Sequence, residues 1–323
     1  MNHFLSKLST DQLAGAAANL LAGNLVAFPT ETVYGLGADA CNEDAVARIY
    51  SVKGRPTDHP LIVHVASMDA LSDWSNQVPG YAIALARDFW PGPMTLIVKR
   101  SGLAGDFVTG GQDTVGVRVP AHPVALGLIE EFERVGGRGV AAPSANRFGN
   151  LSPTTAQAVS DELSEYLGDA DQILDGGVCN VGLESTIIDC TGDMPRILRP
   201  GAVTIAMIQD STGLVVGDYV VVNQEEIRVS GSLEKHYAPV ARVILDIKPV
   251  TGQGFIALKE SETPEGVVRL AAPTNTEEFA RDLYAALRKA DEMSLPEVVV
   301  AQPQGGGIAI AIRDRLERAS KGR

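Results

Sequence analysis

"NEDAVARIYSVKGRPTDHPLIVHV", residues 42–65, changes its periodicity halfway along. Over 42–53 apolar residues recur at helical spacing, and Glu43 and Asp44 fall where the first turn of a helix favours negative charge. Residues 60–65, "PLIVHV", form an apolar run of strand length. A helix handing on to a buried strand is the unit of an α/β fold. The junction between them carries two cations, Lys53 and Arg55, separated only by Gly54.

The alternation extends in both directions. "NLVAF" (24–28) reads as a buried strand ended by Pro29, and "YAIALARDFW" (81–90) as a helix. "MTLIVKR" (94–100), "TVGVRVP" (114–120), "GVAAP" (139–143) and "STIIDC" (185–190) read as strands, with "TTAQAVSDEL" (154–163) as a helix. Around 211–240 the pattern weakens into a linker. Beyond it, "ARVILDI", "GFIALKE", "GVVRLAA", the helix "TEEFARDLYAALRKADEM", "EVVVAQP" and a last helix from about Ile308 predict a small open α/β domain. The expected organisation is therefore 1–210, a linker 211–240, and a domain 241–323.

With 45% hydrophobic and 5% aromatic residues, the chain is an ordinary globular α/β protein rather than a disordered one. No apolar run reaches the ~18 residues of a membrane span. No secretory cleavage pattern follows the N-terminal stretch, so no membrane association is expected. Cys41, Cys179 and Cys190 form no CxxC pair, and the cytoplasm is the expected compartment. The net charge is −13. Residues 241–323 hold 12 basic and 12 acidic residues, so the excess lies in 1–240, with 15 basic against 28 acidic. Such a surface opposes stable nucleic-acid binding, and any polyanion needs a local cationic pocket.

Familiar catalytic signatures are absent: no GxxxxGK[ST], no GxGxxG after a strand, no HExxH and no GxSxG. The five histidines (3, 59, 64, 122, 236) lack metal-ligand spacing, so no metal ligands are assigned. What remains are polar clusters at strand ends. "FPTETVYGLGADA" (28–40) puts Thr30, Glu31, Thr32 and Tyr34 in a turn that could close a loop or grip a small zwitterion or phosphate. Lys53 and Arg55 suit phosphate, a point charge beside a planar fork, yet an isolated K-x-R is also compatible with a solvated turn. His64 fits a satisfied core residue as well as a ligand group. "APSANRFGNLSPTT" (142–155) clusters Ser144, Asn146, Asn150 and Ser152 after a strand, where open sheets bind ligands or a helix is capped. "LESTIID" and "LRPGAV" add Ser185, Thr186 and Arg199, and "EKHYAP" lies in the linker. Together these are hydroxyls, amides and isolated cations without a nucleophile–base pair, which suits positioning of anions.

In this order "FPTETVYGLG", "KGRP…HPLIVHV", "WPGPMTLIV", "VRVPAHP", "APSAN", "LESTIID" and "LRPGAV" resemble the YrdC-type threonylcarbamoyl-AMP synthases over about residues 12–210. "KHYAP" and the tail resemble the longer, two-domain form. The resemblance implies a YrdC-like twisted, open mixed sheet with flanking helices, plus a small C-terminal Rossmann-like α/β domain. It also implies a nucleotidyltransferase making threonylcarbamoyl-adenylate and pyrophosphate from L-threonine, bicarbonate or carbon dioxide, and ATP with Mg²⁺. The product would feed a threonylcarbamoyl transferase complex acting on tRNA, so contact with tRNA would be indirect.

Carried over by position, Lys53 and Arg55 would be catalytic and hold phosphate oxygens. Ser144 and Asn146 match the family's S-x-N at the nucleotide, with Ala142 and Ser152 beside it. Thr32, His64, Arg118 and Ser185 surround threonine, with Ala142 at that site as well, and Arg118 would meet the carboxylate. Thr114, Arg199, His236 and Tyr237 would contact the nucleotide. His59 stands where many relatives carry asparagine, which leaves its nucleotide contact the weakest correspondence. The linker would lie over the site as a lid. Two other readings are a carbamoyl-phosphate-dependent carbamoylation module, which needs zinc-finger cysteines these three cannot supply, and a non-enzymatic RNA-binding module, which the charge disfavours.

Overall fold

A computed structural model describes residues 8–216, 227–231 and 237–322. Its strands are β1 (Val26–Pro29), β2 (Tyr34–Asp39), β3 (Ile62–His64), β4 (Ser75–Gln77), β5 (Met94–Arg100), β6 (Thr114–Arg118), β7 (Val140–Ala141), β8 (Gln172–Ile173), β9 (Thr186–Asp189) and β10 (Arg196–Arg199). They form one sheet in the order β10-β9-β5-β6-β3-β7-β2-β1-β8, with β4 added beside β5. Its pairings are mixed: β3–β6 and β5–β9 are parallel, while β5–β6, β3–β7 and β1–β2 are antiparallel. The expected mixed open sheet is present.

Alternation along β1 divides the core between two faces. Val26 and Phe28 pack with Ala16, Leu20, Leu128 and Phe132 of the helices Thr10–Leu21 and Pro123–Arg134. Ala27 joins the opposite cluster with Val46 and Ile49 of the helix Glu43–Lys53 and Val159 of the helix Ala156–Leu163. Helix starts follow their caps: Ser9 forms a capping box with Gln12, Asn42 accepts from Ala45 N, and Thr155 accepts from Ala158 N.

One local expectation is corrected. Residues 28–40 read as a turn, but β2 occupies Tyr34–Asp39 and pairs in a hairpin with β1, Phe28 opposite Gly35. Gly35 and Gly37 are strand residues, small because a Cβ at Gly37 would lie 2.8 Å from both Phe28 and Val140. Only Thr30–Val33 turns, closed by the Thr30 hydroxyl, which donates to Val33 O at 2.6 Å.

The second sheet contains β11 (Arg242–Leu245), β12 (Gly254–Ile256), β13 (Val268–Ala271) and β14 (Glu297–Val300), all parallel in the order β11-β14-β12-β13. The helices Thr276–Glu292 and Ile308–Ser320 cover it through Phe279, Leu283, Leu287, Ile312 and Leu316. Val33, Leu151, Leu183 and Tyr237 join this same core, so the two sheets share packed side chains. Among the described residues no helix is long and apolar enough to cross a membrane.

Candidate active site

The helix Glu43–Lys53 ends at Gly54, which takes the left-handed conformation (φ 61°) that glycine adopts without strain. Lys53 is thereby turned inward and is 1% exposed. Its ammonium donates to the carbonyl oxygens of Ser144 and Asn146, each at 2.5 Å, tying the helix end to the 142–155 loop. Burial, with Arg55 nearby, holds its pKa well below the usual 10.5. Arg55 Nη2 donates to Pro60 O at 3.0 Å and Ser230 Oγ at 3.1 Å, whereas its buried Nε has no partner among the described residues. Burial also lowers the Arg55 pKa to about 10. Two desolvated cations side by side, with no carboxylate in contact among the described residues, are costly unless an anion joins them.

A second group sits at the β3–β6 pair, where His64 lies opposite Arg118. Arg118 Nη1 donates to Thr32 Oγ1 at 3.0 Å, Nη2 to Glu31 Oε1 at 2.5 Å, and Nε to Gly92 O at 3.2 Å. These bonds use three of its five N–H groups. Glu31 Oε2 accepts from Ala121 N at 2.9 Å, so the pair is pinned from both sides. His64 is buried, and burial followed by the Arg118 charge lowers its pKa to about 3. Its Nδ1 is buried without a partner among the described residues, and the neutral ring forms part of the cavity wall.

The third group joins β9 and β10. Arg199 donates from Nη2 to Ser185 O at 2.9 Å and Oγ at 3.1 Å, and from Nη1 to Ser230 O at 2.8 Å. Ser185 Oγ also lies 2.8 Å from Thr95 Oγ1. Beside it, the buried Glu184 accepts from Ser152 Oγ at 2.6 Å and from Tyr284 OH and Arg315 Nε of the second sheet's helices. Burial opposes its charge, but the Arg315 and Arg199 guanidinium groups overcome this and hold its pKa near 2.

These groups line one cavity that opens to solvent; about 600 Å³ lies outside protein atoms there, open solvent included. Of the sequence-predicted residues, Thr32, Lys53, Arg55, His64, Arg118, Ala142, Ser144, Ser185, Arg199 and Tyr237 reach it. Others stand back from it. Ser152 bonds Glu184 behind the wall, and Asn146 Nδ2 braces the loop through Arg147 O and Asn150 O, its Oδ1 buried without a partner among the described residues. His59 packs edge-on against Phe148, a lining residue, at 5.6 Å. Thr114 lines a neighbouring smaller cavity that shares Ile62 and Ser230 with the first. His236 lies outside the described residues. Sequence reading did not assign Glu184, Thr95, Ser230, Tyr284 or Arg315. Glu184 adjoins Ser185 within "LESTIID", but Arg315 in "IRDRLER" looks like one more surface charge on a helix.

Comparison with known proteins identifies the arrangement. A family model described as "Telomere recombination" matches residues 18–201, and one described as "Threonylcarbamoyl-AMP synthase, C-terminal domain" matches 203–321. The threonylcarbamoyl-AMP synthase of Pyrococcus abyssi is 38% identical over 322 residues, spanning 94% of this chain and 93% of the relative. The chain belongs to the threonylcarbamoyl-AMP synthase family. The Bacillus subtilis synthase is 39% identical over 98% of this chain and 96% of its own. The crystal structure of P. abyssi Sua5 complexed with L-threonine is 37% identical and matches with a TM-score of 0.87, covering 98% of this chain and 96% of that one. The family's two-domain form is thus present from end to end.

Proposed function

We propose that this cavity is where the chain makes threonylcarbamoyl-AMP. The protein is a nucleotidyltransferase: it condenses L-threonine, bicarbonate or carbon dioxide, and ATP to threonylcarbamoyl-AMP and pyrophosphate. The observation that carries the assignment of roles is the convergence of buried Lys53, Arg55 and Arg199 on one cavity that a neutral His64 and a partly used Arg118 also line.

In this reading the triphosphate lies against Lys53, Arg55 and Arg199, with Ser144 alongside, and the amino acid lies between Thr32, His64, Ala142 and Ser185. The two remaining N–H groups of Arg118 receive the threonine carboxylate. The amine adds to carbon dioxide and loses a proton, a carbamate oxygen forms a bond to the α-phosphorus, and the bond to pyrophosphate breaks. Such in-line transfer rests on alignment and charge neutralisation, which agrees with a cavity rich in cations and hydroxyls. Among the described residues no cluster of three or more His, Cys, Asp or Glu is placed to hold a metal. In this reading Mg²⁺ enters with the nucleotide, as part of the substrate.

Residues 1–210 would form the catalytic unit, with 241–323 as a second domain and 211–240 crossing between them over the cavity. Tyr237 supports this placement because it lines the cavity while packed in the second core. The product is a mixed anhydride, so its consumer is a transferase that passes the threonylcarbamoyl group to tRNA, in the cytoplasm. The test is pyrophosphate release from labelled ATP, threonine, bicarbonate and Mg²⁺. Release that ignores threonine would sink the proposal.

A further inference from the structure

Arg315 does not reach the cavity, yet among the described residues it is the largest charged side chain that is fully enclosed. It comes from the helix Ile308–Ser320 of the second sheet and crosses to the first. Its Nε donates to Glu184 Oε2 at 2.8 Å and its Nη2 to Pro200 O at 3.0 Å, while Nη1 pairs with Asp314. Tyr284 OH, from the neighbouring helix, lies 3.0 and 3.2 Å from the two oxygens of Glu184. The Arg315 guanidinium also sits 5.3 Å above the ring of Tyr237, which stacks on Tyr284 at 5.9 Å. One carboxylate on the cavity wall is thus gripped by two residues of the other domain.

The position of Glu184 makes this grip consequential. It lines the same cavity as Lys53, Arg55 and Arg199, and its charge interacts with Arg199 as well as Arg315. A buried carboxylate there competes with an incoming anion for Arg199. Paired with Arg315 and bonded by Ser152 and Tyr284, it is neutralised and held away. Resting on the proposed triphosphate site, we infer that Arg315 is a positioning residue: it sequesters Glu184 so that Arg199 stays available to the nucleotide. The second domain therefore sets the anion affinity of a cavity it does not line with its own charged groups.

Removing the cation leaves a unit negative charge facing the phosphates. At a separation of several ångströms and an effective dielectric near 20, that corresponds to about tenfold to fiftyfold weaker binding. The experiment is calorimetric titration of the full chain with MgATP, alongside circular dichroism and threonine-dependent pyrophosphate release. Arg315→Met should weaken MgATP binding by about that factor, raising KM for ATP more than it lowers kcat. Adding Glu184→Gln to Arg315→Met should restore most of the affinity, because the neutral amide no longer competes for Arg199. If Arg315→Met does not fold, Tyr284→Phe carries the test: a smaller loss of affinity, again reversed by Glu184→Gln.

Unchanged MgATP affinity in folded Arg315→Met, or no recovery in the double variant, overturns the inference. So does a wild-type chain that fails to bind MgATP. A wild type that binds MgATP yet makes no threonine-dependent pyrophosphate defeats the proposed reaction while leaving the Arg315 result readable.

Discussion

The Lys53 ammonium lies 2.5 Å from the main-chain oxygen of Asn146, 93 residues away in sequence, and is 1% exposed. The bond joins the end of a core helix to the loop that borders the cavity, so one lysine both fixes the wall and supplies its charge. Lys53→Ala should lower threonine-dependent pyrophosphate formation by about 100-fold or more, as loss of a preorganised charge does elsewhere. The far-ultraviolet circular dichroism should stay native. Wild-type turnover in this variant would reduce Lys53 to a structural tie.

In the proposed assignment Arg118 serves threonine and not ATP. Its bonds to Thr32 and Glu31 fix it in the cavity wall, and it lies opposite His64 across the β3–β6 pair. Arg118→Met should raise KM for threonine by about tenfold to a hundredfold, since a charged hydrogen bond to a carboxylate contributes ~1.5–3 kcal/mol. KM for ATP should move less than threefold on the same reasoning. Equal shifts in both KM values would place Arg118 in the frame of the site instead. Stability has to be followed in parallel, because Glu31 would lose its buried partner.

Gly231 packs directly against Tyr237. Its φ is 80°, and a Cβ placed there would lie 2.0 Å from the Tyr237 hydroxyl. Gly231→Ala must therefore strain the backbone and displace the tyrosine from its stack on Tyr284. A fall in kcat/KM for ATP is expected, with thermal stability reduced by about 1–3 kcal/mol. An alanine variant with unaltered kinetics would show that the Tyr237 position is immaterial to the reaction.

Much of this was legible in the sequence because it is local. The helix Glu43–Lys53 announces itself by its period and first-turn acids, and Lys53 and Arg55 stand out at its end. Strand β2 was hidden because Gly35 and Gly37 imitate loop punctuation, although they are small to admit Phe28 and Val140. The tie between Glu184 and Arg315 spans 131 residues and two sheets, and no local pattern distinguishes that arginine from Arg313 and Arg318 on the same helix. Long-range pairing of charges is a product of packing, so only the folded chain reveals it.

His64 makes the acid sensitivity of the fold testable. Burial, then the Arg118 charge, keeps its imidazole neutral in the folded protein down to about pH 3, against an ordinary value of 6.5 in the unfolded chain. Between those limits the unfolded state holds a proton that the folded state refuses. The group costs nothing above pH 6.5, and stability is lost progressively as pH falls from 6.5 towards 3. Glu184 acts in the same direction but later: with its folded pKa near 2, its stabilisation is complete above the ordinary 4.5 and lost below it. At pH 5 the histidine effect is therefore already large and that of Glu184 small. Urea unfolding at pH 7 and pH 5 should show the wild type losing about 2 kcal/mol more than His64→Gln. The half-buried His59 and His122 also have lowered values and remain in both proteins, so they cancel in the comparison. Identical losses in the two proteins would mean that His64 accepts its proton in the folded state and is not a neutral part of the cavity wall.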